Sequence, residues 1–288
     1  MYFDLDEANA STGPVRVAKK VLARTAVDLA RHATYALALH ELPISGASAG
    51  IHSTPEGRER ALESFVAEVG CWPETSRFSP IPGTGSTKAD LRPLRSDDPR
   101  HDIFWDDAAL TAISARCAIR TAPPLDNLHV AVIASDAPEL GRQLRDTAAD
   151  VSVFDAADQQ AWSVEADVLF IDAPVGSLNH ARAGQLAARH IVPLSPLLVT
   201  ARGLAVASRA GITIVPGFLS AATRTVVGFL GDESTPSQLS DSLSASTAEI
   251  WNSIARHEAG PFVAACELAE AFIATWSSHR PFGRPLAP

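Results

Sequence analysis

Lysine is scarce in this 288-residue sequence: of 24 basic side chains, only Lys19, Lys20 and Lys88 are lysines. The basic residues form no cluster, and the net charge at pH 7 is −9. Binding to nucleic acids depends on neutralising their phosphates with lysine and arginine, so this composition argues against a nucleic-acid partner. A reaction that needs a lysine amine also has few candidates here.

Cysteine and long apolar runs are scarce as well. Cys71, Cys117 and Cys266 are odd in number and far apart, which excludes a disulfide framework and a Cys-x-x-Cys metal site. His180 and His190 would not share a helix face, so we expect no metal. No apolar run approaches the roughly 20 residues that cross a bilayer, and the acidic first stretch does not resemble a secretion signal. We therefore expect a cytoplasmic protein without a membrane partner.

Two kinds of pattern divide the sequence into two predicted domains, for which a chain of this length has room. Between about residues 106 and 235, short apolar runs such as "HVAVIAS" and "ADVLFIDAP" alternate with helical patterns. This alternation predicts βαβ units and a doubly wound parallel sheet, that is, a Rossmann-like domain. Residues 1–105 form the other predicted domain, an α/β unit that the helical stretch 245–288 rejoins.

Three segments of the first domain carry distinct local signals. Apolar residues recur at three and four positions from Val17 to Leu39, which predicts an amphipathic helix. The stretch "TPEGRERALESFVAEVG" has a Thr-Pro start and a Gly end, which predicts a second helix. The stretch from Cys71 to Asp106 is rich in Pro, Gly and Ser without any period, so we expect loop there and a boundary near residue 105.

The stretch "VAVIASDAPELG" is built like the strand, turn and helix that open a dinucleotide-binding domain, but its turn lacks glycine. The Gly-x-Gly-x-x-Gly positions, which admit a pyrophosphate to the helix N-terminus, carry Ala134, Asp136 and Glu139. The letters "DAPE" predict a capping box instead. A like-charge pair about 5 Å apart costs roughly 3 kcal/mol at an effective dielectric constant of about 20. We therefore expect weak or absent NAD binding.

Asp155 closes the next apolar run, "VSVFD", where an acid commonly binds the adenosine ribose of a dinucleotide. An aspartate that caps the end of a strand explains the same residue. Both interpretations stay open at the level of the sequence.

The order and spacing of several motifs resemble the Glu/Leu/Phe/Val dehydrogenases, the NAD(P)-dependent amino-acid dehydrogenases, and most of all the leucine and phenylalanine type. "GPVR" resembles the family's Gly-Gly-x-Arg, and "AVDLARHATYALALHELPISGASAGI" resembles the helix and glycine-rich loop that follow it. "ADVLFIDAPVGSLN", "AGITIVPGFLSAA" and "IARHEAGPFVAACELAEAFI" come next in the expected order. The resemblance covers most of the chain and implies two domains around a cleft, C-terminal helices that return to the first domain, and an oligomer.

The resemblance stops at the residues that carry the family's chemistry. The substrate-carboxylate lysine of the family corresponds to Ala36 and its catalytic lysine to Ser48. The loop "SPIPGTGST" lacks the partner aspartate of that lysine. The family's Asn-Asn pair beside the nicotinamide corresponds to Pro196 and Leu197, and its substrate-binding Asn to Ala221. These departures imply that NAD-dependent oxidative deamination has been lost.

Other residues near these motifs are candidates for a different chemistry. His40 and Glu41 could act as an acid–base pair at the rim of the implied cleft, although a solvated helix end explains them as well. Ser45 and Ser48 lie in the former catalytic loop. They lack the Gly-x-Ser-x-Gly elbow of a nucleophile, so we expect them to line a pocket.

Two charged residues are candidates for binding a ligand. Asp172 follows a buried strand in "LFIDAP", and ligands gather outside the carboxyl ends of parallel strands. Arg224, in "SAATRT", takes a glycine position of the family motif and is our preferred partner for a substrate carboxylate. A surface ion pair is the alternative for Arg224.

Three functional hypotheses follow from the sequence. The first is an amino-acid dehydrogenase homologue that has been repurposed, in specialised metabolism, to bind or convert a small molecule derived from an amino acid, an imine or a 2-oxo acid. The second is a catalytically dead scaffold or regulatory subunit in a homo-oligomer or hetero-oligomer. The third is a working dehydrogenase with an atypical cofactor site.

Overall fold

The computed structural model describes residues 1–72, 77–97, 104, 106–135, 138–148, 150–230 and 235–288. The chain divides into two compact units. Unit 1 comprises Met1–Trp105, Arg224–Phe229 and Leu268–Pro285, and unit 2 comprises Asp106–Thr223, Leu230–Glu267 and Leu286–Pro288. The sequence predicts that the C-terminal segment rejoining unit 1 begins at residue 245. In the structure this segment begins at Leu268. Helical periodicity alone did not show which unit each C-terminal helix packs against.

Unit 1 contains a four-stranded mixed sheet in the order β1-β3-β2-β4, with only β1 antiparallel to its neighbour. Its strands are β1 (Tyr2–Phe3), β2 (Ala10–Ala18), β3 (Ser45–His52) and β4 (Arg77–Pro82). Its helices are α1 (Ala23–Leu39), α2 (Arg58–Val69) and α3 (Lys88–Leu91), and a 3-10 turn, Arg92–Asp97, follows α3.

Two local predictions for unit 1 were wrong. Val17 lies in β2 opposite Ile51 of β3, so the predicted helix from Val17 to Leu39 begins only at Ala23. The predicted loop between Cys71 and Asp106 contains β4, whose two prolines are tolerated because the strand lies at the sheet edge. In both places, pairing with a distant strand decides the structure rather than local periodicity.

Helix α1 packs directly on the sheet of unit 1. A Cβ atom at Gly46 of β3 would lie 1.8 Å from the carbonyl oxygen of Ala30 in α1. Glycine therefore allows the helix backbone to approach the strand. On the opposite face of the sheet, Val15 and Ala49 pack with Phe78 and Leu91 in an apolar cluster.

Unit 2 contains a five-stranded, fully parallel sheet in the order β6-β5-β7-β8-β9. Its strands are β5 (His129–Ile133), β6 (Asp150–Phe154), β7 (Val168–Ile171), β8 (His190–Pro193) and β9 (Thr213–Ile214). Its helices up to that point of the chain are α4 (Asp107–Arg120), α5 (Pro138–Arg145), α6 (His180–Ala183) and α7 (Ala201–Arg209). The strand order is that of a doubly wound sheet, which confirms the predicted α/β fold class.

The remaining helices are α8 (Gly217–Ser220), α9 (Thr223–Val226), α10 (Pro236–Ile254) and α11 (Pro261–Ile273). Helix α10 and the first half of α11 lie in unit 2, while α11 from Leu268 onward lies in unit 1.

Helix starts follow local capping rules: Asp106 Oδ1 accepts hydrogen bonds from the amides of Ala108 and Ala109, at 3.0 and 3.1 Å. In the part of the chain that the structure describes, no helix has the length and apolarity that a membrane span requires.

Candidate functional site

The carboxyl edge of the five-stranded sheet brings together four positions that the sequence singled out. Ala134, Asp155 and Asp172 follow β5, β6 and β7, and Pro196 lies three residues beyond β8. Strands β6 and β7 lie on opposite sides of β5 in the sheet, and doubly wound sheets bind ligands outside the carboxyl ends of their strands at such a switch point. The amides of Ala134 and Asp172 donate to the carbonyls of Phe154 and Ile133, at 3.1 and 2.8 Å, so this edge is an ordered extension of the sheet.

Glu139, at the start of α5, is paired within its own helix. Its carboxylate accepts hydrogen bonds from Arg142 Nε at 3.0 Å, from an Arg142 terminal nitrogen at 2.6 Å and from Gln143 Nε2 at 2.8 Å. These hydrogen bonds lower the pKa of Glu139 to about 2, and those from Arg142 have the largest effect. Asp136, the other acid of the predicted capping box, lies outside the described residues. Because Arg142 offsets the charge of Glu139, repulsion from this acid alone is weaker than the sequence argument assumed.

Asp155 is exposed and holds its own turn. Its Oδ1 accepts a hydrogen bond from the amide of Ala157 at 2.7 Å, the geometry of an aspartate that caps a strand end. Asp172 is exposed as well. Beyond β7 and β8, the Ser195 hydroxyl donates to the carbonyl of Ala173 at 2.7 Å, and Leu197 adopts a left-handed backbone with φ of 54°.

Ala36 and Ser48, the two positions that the sequence resemblance assigns to the family's lysines, are buried in unit 1. Ala36 lies in α1 with no exposed surface. Ser48 lies in β3, also without exposure, and its hydroxyl donates to the carbonyl of Pro14 at 3.1 Å. Ser45, in the same strand, donates to the carbonyl of Gly46 at 3.0 Å and accepts from the amide of Leu5 at 2.9 Å. The two serine hydroxyls thus connect backbone segments of unit 1.

His40 and Glu41 lie in different environments at the end of α1. His40 is buried, and burial lowers its pKa to about 4, so that the imidazole is neutral at pH 7. Glu41 is exposed and has a left-handed backbone with φ of 56°. The interpretation of His40 as part of a solvated helix end was wrong, because the twelve residues of α1 before it, from Asp28 to Leu39, are all buried, and His40 is buried with them.

Ala221 and Arg224 lie at the ends of two short helices. Ala221 is the C-cap residue of α8 and is half-buried. Arg224 lies in α9 with an exposed side chain. Its role in binding a carboxylate stays a prediction.

The structure adds a buried charge cluster that sequence reasoning missed. Arg31 of α1 is 2% exposed, and its Nε lies 3.9 Å from Asp4 Oδ1, while one terminal nitrogen lies 3.4 Å from Asp28 Oδ1. Burial raises the pKa of Asp4 to about 6, against the opposing effects of the Thr34 hydroxyl and the Arg31 guanidinium. No local pattern could reveal the contact between Asp4 and Arg31, which are far apart in sequence.

Arg16, the last residue of the "GPVR" motif, is a second cation of unit 1 that sequence reasoning did not single out. It lies in β2, on the face opposite Val15, and its Nε and one terminal nitrogen are buried without a hydrogen-bond partner among the described residues. Burial lowers its pKa. Within those residues, no group of three His, Cys, Asp or Glu side chains is placed to hold a metal ion.

Solved structures of amino-acid dehydrogenases are similar to this chain over almost its whole length. L-Tryptophan dehydrogenase from Nostoc punctiforme is 19% identical, with a TM-score of 0.70, over 94% of this chain and 90% of that chain. The hetero-hexameric glutamate dehydrogenase from Thermus thermophilus, in a leucine-bound form, is 18% identical, with a TM-score of 0.72, over 94% and 82%. Glutamate dehydrogenase from Plasmodium falciparum is 11% identical, with a TM-score of 0.73, over 93% and 76%.

At these low identities the likeness establishes the fold. No protein-family model and no curated protein sequence matches the chain. The chain therefore has the two-domain α/β fold of the amino-acid dehydrogenases, which confirms, at the level of the fold, the resemblance that its motifs indicated.

Proposed function

We propose that this protein is a diverged amino-acid dehydrogenase homologue that has lost NAD-dependent oxidative deamination and binds a small molecule derived from an amino acid or a 2-oxo acid. The proposal depends mainly on one observation: both positions that correspond to the family lysines are filled and buried. Ala36 has no exposed surface, and the Ser48 hydroxyl is bonded to a backbone carbonyl. Neither position offers an amine or a water-activating base.

The carboxyl edge of unit 2 supports the same proposal. Ala134 is 5% exposed where a dinucleotide-binding turn needs a glycine. Helix α5 begins with Pro138, which has no amide hydrogen to donate to a phosphate. One carboxylate oxygen of Asp155 already accepts a hydrogen bond from the amide of Ala157 in its own turn. A dinucleotide would find few of the donors that normally hold it.

The ligand class follows from the fold and from the cations that unit 1 retains. Two of the structural neighbours are described as a tryptophan dehydrogenase and a leucine-bound glutamate dehydrogenase, whose ligands carry a carboxylate. In this chain Arg16 has two buried donor nitrogens without partners among the described residues. A planar carboxylate is the usual partner of such donors. We propose Arg16 and Arg224 as the residues that bind it.

Two measurements on the purified protein test the proposal. Calorimetry with NAD and NADP should show no micromolar binding, and a panel of amino acids should produce no change in nicotinamide absorbance. Mass spectrometry of the small molecules that the protein retains should identify a carboxylate. Arg16→Gln should lower its occupancy about tenfold or more, whereas Arg60→Gln, at an exposed arginine of α2 in the same unit, should not.

The alternatives give different results in the same experiment. Amino-acid-dependent reduction of NAD would overturn the proposal in favour of a dehydrogenase with an atypical cofactor site. Absence of any retained molecule, together with an assembly with itself or with a relative, would favour the scaffold or regulatory subunit. The hetero-hexameric neighbour shows that the fold can assemble in this way.

A further inference from the structure

A cleft of about 780 Å³ lies in unit 2, between three helices and a loop. Helix α4 contributes Ile119 and two arginines, α5 and the residues after it contribute Gln143 and Asp146, and α10 contributes Ala248 and Asn252. The loop between α4 and β5 closes one side. A volume of roughly 300–1,000 Å³ is the usual size of a small-molecule site.

The cleft lies at the amino edge of the parallel sheet. Its loop leads directly into the first residue of β5, and its segment after α5 leads into β6. All strands of this sheet are parallel, so their amino ends share one edge, whereas Ala134, Asp155 and Asp172 lie at the other. Five residues of β5 span about 15 Å between the two edges. The cleft is therefore separate from the crevice in which the fold would bind a nucleotide.

The loop wall of the cleft is apolar and preorganised. Pro123, Pro124 and Leu125 line it, and the two prolines have a fixed backbone φ. Thr121, fully buried, anchors the start of the loop: its hydroxyl donates to the carbonyl of Ala118 at 2.8 Å. The amide of Leu128 donates to the carbonyl of Leu125 at 3.0 Å and closes the other end. A wall that is already ordered loses little entropy when a ligand binds.

The charges of the cleft divide into paired and unpaired groups. Arg116 is paired with Asp241 at 2.6 Å, and Asp146 with Arg142 at 3.5 Å. Arg120 and Asp126 also line the cleft, and neither has an ion-pair partner among the residues that the structure describes. Among the described residues, one cation and one anion without an ion-pair partner therefore lie beside an apolar wall.

Asn252 adds hydrogen-bonding capacity on the α10 side of the cleft. It is exposed, and its amide has no hydrogen bond to another described residue. An amide can donate and accept at once, so it can bind either charged group of a ligand. Ala248, one turn earlier on α10, contributes only a methyl group to the lining of the cleft.

We propose that this cleft is a second ligand site, for a small zwitterion with an apolar side chain. Arg120 binds the anionic group, Asp126 binds the cationic group, and the Pro123–Leu125 wall packs against the apolar part. The site is independent of the proposed function, which concerns residues of unit 1 and the carboxyl edge of unit 2.

Three probes with the same phenyl group separate the two charges: L-phenylalanine, 3-phenylpropanoate, which lacks the ammonium, and 2-phenylethylamine, which lacks the carboxylate. Ligand-observed NMR on the full chain should show the tightest binding for phenylalanine. We expect each single-charge probe to bind about tenfold more weakly, because one charge-assisted hydrogen bond is lost.

Variants assign each charge to one residue. Arg120→Gln should weaken phenylalanine and 3-phenylpropanoate about tenfold and leave 2-phenylethylamine unchanged. Asp126→Asn should weaken phenylalanine and 2-phenylethylamine and leave 3-phenylpropanoate unchanged. Both side chains are exposed, so neither change threatens the fold.

A filling variant tests the location of the site. Ala248→Trp should abolish the binding that Arg120→Gln weakens, whereas Ser242→Trp, at an exposed position of α10 outside the cleft, should leave it intact. Equal binding of phenylalanine to wild type and Ala248→Trp would overturn the proposal, as would equal affinity for all three probes. If Arg16→Gln but not Ala248→Trp removes binding, phenylalanine occupies only the site of the proposed function, and the cleft is not a ligand site.

Discussion

The interiors of the two units are stabilised by different physics. In unit 1, helix α1 is almost wholly buried, yet it places Asp28, Arg31 and His32 in the interior. In unit 2, the main core cluster is apolar and includes the sheet residues Ile133, Leu169 and Ile191, which are fully buried. The stability of unit 1 therefore depends on the pairing and protonation of polar groups, whereas that of unit 2 depends on apolar area removed from water.

Removal of the buried cation should have the largest effect. Arg31→Met keeps a long side chain but leaves Asp4 and Asp28 without their buried partner. We expect a loss of about 3–5 kcal/mol in the free energy of unfolding at pH 7, measured by urea denaturation.

The matched control is Arg24→Met. Arg24 also binds Asp28, at 3.0 Å, but its side chain is 64% exposed. This change should cost less than about 1 kcal/mol. Equal losses in the two variants would show that burial of the Arg31 pair does not distinguish unit 1 from unit 2.

The pH dependence of stability should reveal two opposing groups in unit 1. Burial raises the pKa of Asp4 from 3.8 to about 6, so its contribution is complete below about pH 4 and is lost as the pH rises through 6. Burial lowers the pKa of His40 from 6.5 to about 4, so its contribution is complete above pH 6.5 and is lost as the pH falls through 4. Each pKa shift changes the free energy of unfolding by about 3 kcal/mol across this pH range. The two changes have opposite signs, so in the wild-type protein they nearly cancel.

Single substitutions should uncover each limb of this pH dependence. Asp4→Asn leaves His40 alone, and unfolding free energy should then rise by up to about 3 kcal/mol between pH 4 and 6.5. His40→Gln should give the reverse slope. The measurement is urea denaturation across this pH range, and an unchanged slope in both variants would contradict the assignment of these two groups.

Apart from the Arg24→Met control, the smallest effect is expected from the apolar core of unit 2. Ile191 is fully buried in β8, and Ile191→Val removes a single methylene, which should cost about 1 kcal/mol. Because its cluster contains no titratable side chain, the cost should be the same at pH 4.5 and pH 7. A pH-dependent cost would remove the distinction between the two interiors.

The sequence predicted much of unit 2 and less of unit 1. Apolar runs and caps predicted strands β5 to β8 and helix α4 to within a few residues. Strands β5, β7 and β8 are buried along most of their length, whereas β6 is a partly exposed edge strand. Strand β4 was not predicted, because a segment with two prolines is typical of a loop. Its strand structure depends on pairing with β2, which the local sequence does not show. Helix α6, which has Asn179 as its N-cap, is only one turn long.

The candidate site divides in the same way. The resemblance assigns Ala36 and Ser48 to lysine positions of the amino-acid dehydrogenases, and the absence of glycine around Ala134 can be read from the sequence, because both depend on the spacing of motifs. The burial of His40, the approach of Asp4 to Arg31 and the pairing of Glu139 with Arg142 were not predicted. Each of these depends on side-chain packing or rotamers that spacing does not specify.

The sequence by itself determined the fold class, and it carries Ala36 and Ser48 where the resemblance to amino-acid dehydrogenases expects lysines. Hydrophobic periodicity and residue identity are local properties. The tertiary structure alone decided which charges are buried, which strand pairs with β2, and that α4, α5 and α10 enclose a cleft at the amino edge of the sheet. Those features depend on the desolvation and proximity of groups distant in sequence, which exist only after the chain has folded.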